Sequence, residues 1–211
     1  ITIPSLFNVK QENDMETAMD TIFEAADIAI ENGYNIIILS DKGVDKDKAP
    51  IPALLVASGL HHHLIRKGTR MKVSIVLESG EPREVHHFAC LVGYGVNGIN
   101  PYMAYEAIKE LSDEKLLEYS YEDGVKRFNK ACTKGIVKIM SKMGISTIQS
   151  YQGAQIFEAV GIGKEVIDKY FTNTISRIGG IDLTDIQNDT LAHHSKAYDP
   201  LGLNSDESLD S

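Results

Sequence analysis

The sequence predicts an α/β fold in which a mainly parallel sheet is flanked by helices, resembling part of a (β/α) barrel. Apolar residues recur at helical spacing in several segments, and glycines stand directly after many of them. Between these segments lie short β-branched runs, of which Ile36 to Leu39 and Val73 to Leu77 are the clearest. Strands that alternate with helices of about 10–20 residues form βαβ crossovers, which make the strands parallel. Roughly four or five such units are recognisable, fewer than the eight of a closed barrel, so we expect a partial barrel or a small open sheet.

The N-terminal half supplies the first two pairs of helix and strand. An amphipathic helix is predicted from Asp14 to Asn32, and the apolar run from Asn35 to Ser40 follows it as a strand covered on both faces. Two prolines before Ala53 open a second helix that extends to about Arg66. The next buried strand is expected from Lys72 to Glu78.

The C-terminal half continues the alternation with shorter elements. Helices are expected at about residues 81–92, 101–111, 125–143, 151–160, 164–171 and 183–197, and strands at about 96–99 and 145–148. From Asp199 onward the sequence is acidic and serine-rich and has no periodicity. We therefore interpret the last residues as a linker.

Composition narrows the class of protein. A formal net charge of −9 argues against nucleic acid or an anionic membrane surface as a partner, because binding to either needs clustered cations. No apolar run approaches the ~20 residues of a membrane span, and the first residues lack the features of a signal peptide, so we expect a cytoplasmic protein. Cys90 and Cys132 lie in apolar helical stripes without C-x-x-C spacing, which favours reduced, buried thiols over disulfide, zinc or iron–sulfur roles.

Three motifs suggest chemistry, and each has a simpler interpretation. The G-x-G-x-x-G match at Gly93–Gly98 follows a predicted helix, whereas a dinucleotide site requires a preceding strand, so we interpret it as a helix end and turn. Gly161–Lys164 lacks P-loop spacing and is expected to be a turn that opens a helix. Histidines at His61–His63 and His86–His87 point in different directions on a helix, which favours packed or hydrogen-bonded imidazoles over a metal site.

The carboxyl ends of the predicted strands are the candidate functional positions, because loops there converge on one face in (β/α) folds. Asp41 and Glu78 are the only carboxylates among them, and such a pair could act as acid and base. They could equally cap helices, and since no pair of nucleophile and base is apparent, we favour capping or a domain contact. The candidate face comprises Ser40, Asp41, Glu78, Ser79, Ser146 and Gln149.

Collinear blocks along the chain also resemble a known family. They comprise ILSDKGV at 38–44, APIPALL at 49–55, HHHLIR at 61–66, ESGEPREVHHFA at 78–89, GYG at 93–95, NPY at 100–102, KIMSKMGIST at 138–147 and QSYQGAQIFEA at 149–159. In this order, the blocks resemble the central domain of the glutamate synthase large subunit. The resemblance extends from about Phe7 to Tyr198.

The resemblance implies a place within a larger enzyme. Members of the family make glutamate from glutamine and 2-oxoglutarate, and ammonia passes through an internal tunnel from an amidotransferase domain to a flavin domain. The complete enzyme is expected to carry FMN and an iron–sulfur cluster, with no cofactor in this segment. Residues 1–198 would form the second half of the central domain, and residues 199–211 a linker towards the flavin domain. The amidotransferase and flavin domains of the same polypeptide would be its partners, and the candidate face would border the ammonia passage without catalysis.

Two other interpretations stay open at this stage. The chain could be a free-standing small (β/α) enzyme that uses the strand-end carboxylates Asp41 or Glu78. It could also be an interaction protein without chemistry of its own.

Overall fold

Helices and strands alternate along most of the chain in the computed structural model, which describes residues 1–10 and 14–198. The predicted linker at residues 199–211 lies outside the described residues. A short 3₁₀ turn at Arg70–Lys72 separates the second helix from the fifth strand. The elements in chain order are β1 (Thr2–Pro4), β2 (Leu6–Asn8), α1 (Asp14–Glu31), β3 (Ile36–Ser40), β4 (Lys48–Pro50), α2 (Ala53–Arg66), β5 (Ser74–Glu78), α3 (Val85–Gly93), β6 (Gly98–Asn100), α4 (Tyr102–Asp113), α5 (Tyr121–Lys142), α6 (Ile148–Tyr151), β7 (Glu158–Ile162), α7 (Lys164–Tyr170), β8 (Ile175–Ile181) and α8 (Leu183–Ala197).

The central sheet has four strands in the order β1-β3-β5-β6, and every pairing in it is parallel. The register sets Ser40 opposite Glu78, and Glu78 opposite Asn100, so the strands end together at one edge. This confirms the predicted parallel sheet and the pairing of the first two predicted strands. Two small sheets lie outside it: β2 pairs with β4 antiparallel, and β7 pairs with β8 parallel.

The core lies where α1 and α2 pack on the central sheet. Ile37 and Leu39 of β3 and Ile75 and Leu77 of β5 are buried there against the apolar faces of the helices, whereas Ile36 at the start of β3 is 48% exposed. Helix α2 passes close to α1 at Gly59, where an added Cβ would lie 2.6 Å from Met19 Cε. Burying one large aliphatic side chain contributes about 1.5–3 kcal/mol, so this cluster supplies much of the stability.

Helices α4 and α5 form the periphery beside α3. Ser120 caps α5 by accepting a hydrogen bond from the amide of Asp123, and Phe128 packs edge-to-face on Phe88 of α3. Over its 22 residues α5 buries only Gly124, Cys132 and Met140. The helix was predicted, but its exposure indicates that most of its surface lies outside the core.

The predicted strand at residues 145–148 is wrong. Gly144 ends α5 in the left-handed region at φ 70°, and the amide of Ile145 donates to the carbonyl of Met140, which closes the helix end. The chain then enters the short helix α6 instead of a sheet. The segment at residues 145–148 is only four residues long. Its apolar pattern is compatible with a helix end and turn as well as with a strand, so the sequence could not distinguish them.

The predicted helix at residues 151–160 is also wrong, and β8 was not predicted. Gly153 and Gln155 both have positive φ, which ends the helix after Tyr151 and leaves Glu158–Ile162 free to form β7. Elsewhere the boundaries moved by a few residues: α3 begins at Val85, and β6 begins at Gly98.

The first glycine motif forms the predicted helix end, whereas the second is only partly a turn. Helix α3 ends at Gly93 and Gly95 takes φ 95°, as expected of a helix end and turn. Gly163 precedes α7, although Gly161 and Ile162 belong to β7. His61 accepts a hydrogen bond from Arg70, and within residues 1–10 and 14–198 no cluster of three His, Cys, Asp or Glu side chains is placed to hold a metal ion.

The two cysteines are free, with Cys132 buried and Cys90 half-buried. Burial raises the pKa of both thiols, so they stay protonated at neutral pH. Among the described helices, none combines the length and apolar character needed to span a membrane.

Candidate functional site at the strand ends

The carboxyl ends of β3 and β5 bring four of the predicted residues together. Asp41 and Ser79 follow directly after these strands, and the backbone ladder continues into them, because the amide of Asp41 donates to the carbonyl of Glu78 at 3.1 Å. Ser40, Asp41 and Ser79 are buried, and Glu78 is half-buried. The strand-end argument therefore located a polar cluster inside the protein.

Asp41 is the centre of one hydrogen-bond network. Its Oδ2 accepts from Ser79 Oγ at 2.5 Å, and its Oδ1 accepts from the Tyr102 hydroxyl at 2.7 Å. The amide of Gly80 donates to both oxygens at 3.1 and 3.2 Å. Asp41 thereby holds the loop after β5 and the start of α4 against the end of β3.

Glu78 is the centre of a second network. Its Oε2 accepts from Ser40 Oγ at 2.7 Å, and its Oε1 accepts from Asn100 Nδ2 at 3.1 Å. Lys42 Nζ forms an ion pair with the same Oε1 at 3.1 Å. Together these contacts join the ends of three adjacent strands.

The surroundings of Glu78 and Tyr102 shift the pKa values of both side chains. The hydrogen bond from Ser40 lowers the pKa of Glu78, with a smaller contribution from Lys42, so this carboxylate is ionised at neutral pH. Burial and the hydrogen bond to Asp41 raise the pKa of Tyr102, whose hydroxyl therefore remains a donor. A general acid needs a carboxyl pKa raised towards the working pH, and Glu78 is shifted the other way.

Neither Asp41 nor Glu78 caps a helix among the described residues, so the capping that we favoured from the sequence, as an alternative to a domain contact, is not observed. At the start of α2 the capping carboxylate is that of Glu81, whose Oε2 accepts from the amide of Ala53 at 2.9 Å. Pro52 precedes Ala53 and offers no side-chain cap, so a carboxylate from the loop after β5 satisfies this amide. Desolvation raises the pKa of Glu81.

Ser146 and Gln149 do not follow a strand. Ser146 lies in the turn between α5 and α6, Gln149 lies in α6, and both are exposed. The other hydroxyls of this turn bond to each other, with Thr147 Oγ1 and Ser150 Oγ 2.9 Å apart. No hydrogen bond between described residues connects Ser146 or Gln149 with the strand-end cluster.

Two side chains that contact the carboxylates of the cluster were not predicted from the sequence. Tyr102 is the main donor to Asp41 from outside the two strands, and Lys42 neutralises Glu78. A signal for Tyr102 existed, since it comes two residues after Asn100, which ends the short strand β6. Lys42 directly follows the strand-end Asp41 and could have been included by the same rule.

Comparison with known proteins identifies the family. The glutamate synthase central domain family matches residues 1–163. The chain is 55% identical to the NADPH glutamate synthase large chain of Bacillus subtilis over 185 residues, which is 88% of this chain and 12% of that protein. It is 43% identical to the NADH glutamate synthase of Schizosaccharomyces pombe, covering 86% of this chain and 9% of that protein. It is 36% identical to ferredoxin-dependent glutamate synthase 2 of Synechocystis, covering 93% of this chain and 14% of that protein.

The names of these three relatives give different electron donors, namely NADPH, NADH and ferredoxin. Each relative nevertheless matches most of this chain. The chain spans about an eighth of the length of the Bacillus subtilis protein, which it covers to 12%. A match of the family over most of the sequence, together with the parallel sheet and the blocks at its strand ends, shows that the chain belongs to the glutamate synthase central domain family.

Proposed function

We propose that this domain is a non-catalytic connecting domain of glutamate synthase, and that its strand-end face borders the passage for ammonia between the amidotransferase and flavin domains of the same polypeptide. The observation that carries the proposal is that Asp41 and Glu78 are both engaged by donors of their own chain. A carboxylate whose oxygens are already bonded in a buried network is poorly suited to take a proton from a substrate.

The buried serines Ser40 and Ser79 are suited to the wall of an ammonia passage. The Ser40 hydroxyl donates to Glu78 and the Ser79 hydroxyl donates to Asp41, so the hydrogen bonds fix the positions of both serine side chains. A passage for neutral ammonia has to exclude bulk water, which favours rigid, hydrogen-bonded side chains over titrating groups. Ser146 and Gln149 are exposed in this chain and are available to contact a neighbouring domain.

The cofactors of the reaction are assigned to other parts of the enzyme. A Cys-ligated iron–sulfur cluster takes about four thiolates, and this chain has two cysteines, both with pKa raised by burial. Two cysteines are fewer than such a cluster needs, and we propose that the cluster and FMN are both held outside residues 1–211. We also propose that the enzyme works in the cytoplasm.

The non-catalytic role is tested with Glu78→Gln in the complete enzyme. The substitution keeps the shape of the side chain and removes its charge. We expect both the release of ammonia from glutamine and the synthesis of glutamate to stay within a few-fold of the wild-type rates. Loss of a general acid or base costs about 10²–10⁴-fold, so a fall of that size would favour the alternative of an enzyme that uses strand-end carboxylates.

Ser146 lies apart from the strand-end cluster, and Ser146→Phe tests separately whether this residue also borders the passage. A bulky side chain at this exposed position does not disturb the core. We expect a lower rate of glutamine-dependent glutamate formation while glutaminase activity is largely kept. Thr21→Phe, at an exposed position of α1, is the matched control and should leave the ratio of the two rates unchanged. An unchanged ratio in Ser146→Phe would remove this residue from the passage.

A further inference from the structure

The small sheet formed by β7 and β8 exposes several large apolar side chains. The register sets Val160 opposite Ile178, and these two side chains are 67% and 62% exposed. Ile175 and Ile181 of β8 are exposed as well. The only charged residue of β8, Arg177, is paired with Glu158 of β7 at 3.2 Å. The outward surface of this sheet is therefore apolar and carries little net charge.

This arrangement is unusual for parallel strands. Parallel sheets are found with both faces covered, and an isolated pair of strands is marginally stable in water. Helices α7 and α8 contact β8, and Ile162 packs against the core, so the small sheet is attached to the rest of the domain. Val160 and Ile178 are 67% and 62% exposed and have no cover among the described residues.

The edge of β8 is open too. β8 has seven residues and one neighbour, β7, and the described residues provide no third strand. Its outer row of N–H and C=O groups is a template for another strand, a hazard that proteins usually reduce with charged residues or proline. β8 has no proline, and its single charge is already paired. Such an edge suits a strand that is paired in the complete protein.

The backbones of β7 and β8 lie unusually close together at one point. A Cβ added at Gly180 would lie 2.3 Å from the carbonyl oxygen of Gly161, so the two backbones approach as only glycine allows. Tyr94, next to this region, is held by a hydrogen bond of 2.8 Å to Thr174, just before β8.

We propose that the outer edge of β8, together with the exposed face around Val160 and Ile178, is the docking surface for a β-strand from a neighbouring domain of the same polypeptide. The matched relatives are much longer than this chain, which covers 12% of the Bacillus subtilis protein, so most of the partner surface lies in the rest of the polypeptide. Strand addition supplies backbone hydrogen bonds along the edge and covers the apolar pair. The proposal rests on family membership and is independent of the ammonia passage.

Hydrogen exchange in the complete glutamate synthase large chain tests the docking. We expect the amides of residues 175–181 to be protected as strongly as those of the central strands. Ile178→Lys should accelerate their exchange at least tenfold, since it places a charge in the proposed interface. Ile28→Lys is the control, because Ile28 is 58% exposed on α1, and this substitution should leave exchange in β8 unchanged. Rapid exchange of β8 in the wild-type chain would overturn the proposal even if a variant failed to fold.

Cross-linking identifies the occupant. With p-benzoylphenylalanine incorporated at Ile175, illumination of the complete chain should join β8 to a peptide of another domain, identified by mass spectrometry. Mixing isotopically light and heavy chains separates links within one chain from links between copies. A link to residues 199–211, or one found only between copies, would overturn the assignment to a neighbouring domain. These measurements involve neither turnover nor ammonia, so their failure is distinct from failure of the proposed function.

Discussion

Removing the hydroxyl of Tyr102 tests whether the Asp41 network stabilises the fold. Tyr102→Phe keeps the aromatic ring and deletes the donor that lies 2.7 Å from Asp41 Oδ1. The amide of Gly80, at 3.2 Å, would be the remaining donor to this oxygen. Because Asp41 is only 4% exposed, water cannot freely replace the lost bond.

The expected loss follows from the charge on the acceptor. A hydrogen bond to a charged group contributes about 1.5–3 kcal/mol to the free energy of unfolding. With a urea slope of about 2 kcal/mol per molar, the midpoint of unfolding should fall by about 1 M. Urea titration followed by circular dichroism measures this shift.

Tyr105→Phe is the matched control on the same helix. The Tyr105 hydroxyl donates to Asn129 at 3.0 Å in an exposed, neutral hydrogen bond, so we expect a loss of about 0.5 kcal/mol or less. If the two variants lost equal stability, or if Tyr102→Phe lost less than about 0.5 kcal/mol, the network would not be the stabilising feature argued above.

Two further predictions concern the core. Burial, followed by the positive charge of Arg70, lowers the pKa of His61 from 6.5 to about 4. Unfolded imidazole therefore binds a proton before the folded one does, so stability is full above pH 6.5 and falls as the pH drops towards 4, by an amount on the order of 2–3 kcal/mol. Urea midpoints measured across this range should fall less steeply in His61→Gln, and equal slopes would contradict the assignment. Gly59→Ala gains about 1 kcal/mol of helix propensity, but we expect a net loss of about 1 kcal/mol, because its Cβ would lie 3.1 Å from the rings of Phe23 and Tyr170 as well as 2.6 Å from Met19 Cε. Gly98→Ala, which meets only ordinary contacts with Val76, should lose less, and a gain of thermal stability in Gly59→Ala would argue against close packing at this position.

The sequence predicted the central sheet because its strands carry their own signal. β3 and β5 are continuous apolar runs with a helix on either side, so their type and their parallel pairing follow from local pattern and chain connectivity. Once the strands are placed, the positions of Asp41 and Glu78 at their ends follow directly. The partners of these carboxylates could not be assigned in the same way, because the contact of Tyr102 with Asp41 depends on how β6 lies beside β5.

The small strands were missed for a different reason. β1 and β2 have three residues each, too few for any period to be recognised, and their pairing with β3 and β4 is a tertiary event. In β8, the pair Gly179 and Gly180 would suggest a turn from the sequence, whereas in the structure Gly180 allows the close approach of β7. The Ser146 and Gln149 assignments depended on a strand at residues 145–148, and the helix end at Gly144 took its place.

The strand-end network connects stability with the proposed passage. A buried carboxylate without donors would be costly. Asp41 avoids this cost because hydroxyls and an amide donate to its oxygens, and Glu78 avoids it because Lys42, Ser40 and Asn100 donate to its own. The groups that join the loops to the sheet are thus the same groups that satisfy the carboxylate oxygens of this face. On this argument a variant that loses a donor to Asp41 should lower the stability of the domain and the efficiency of ammonia transfer together, whereas a variant of the β7–β8 surface should affect domain docking alone.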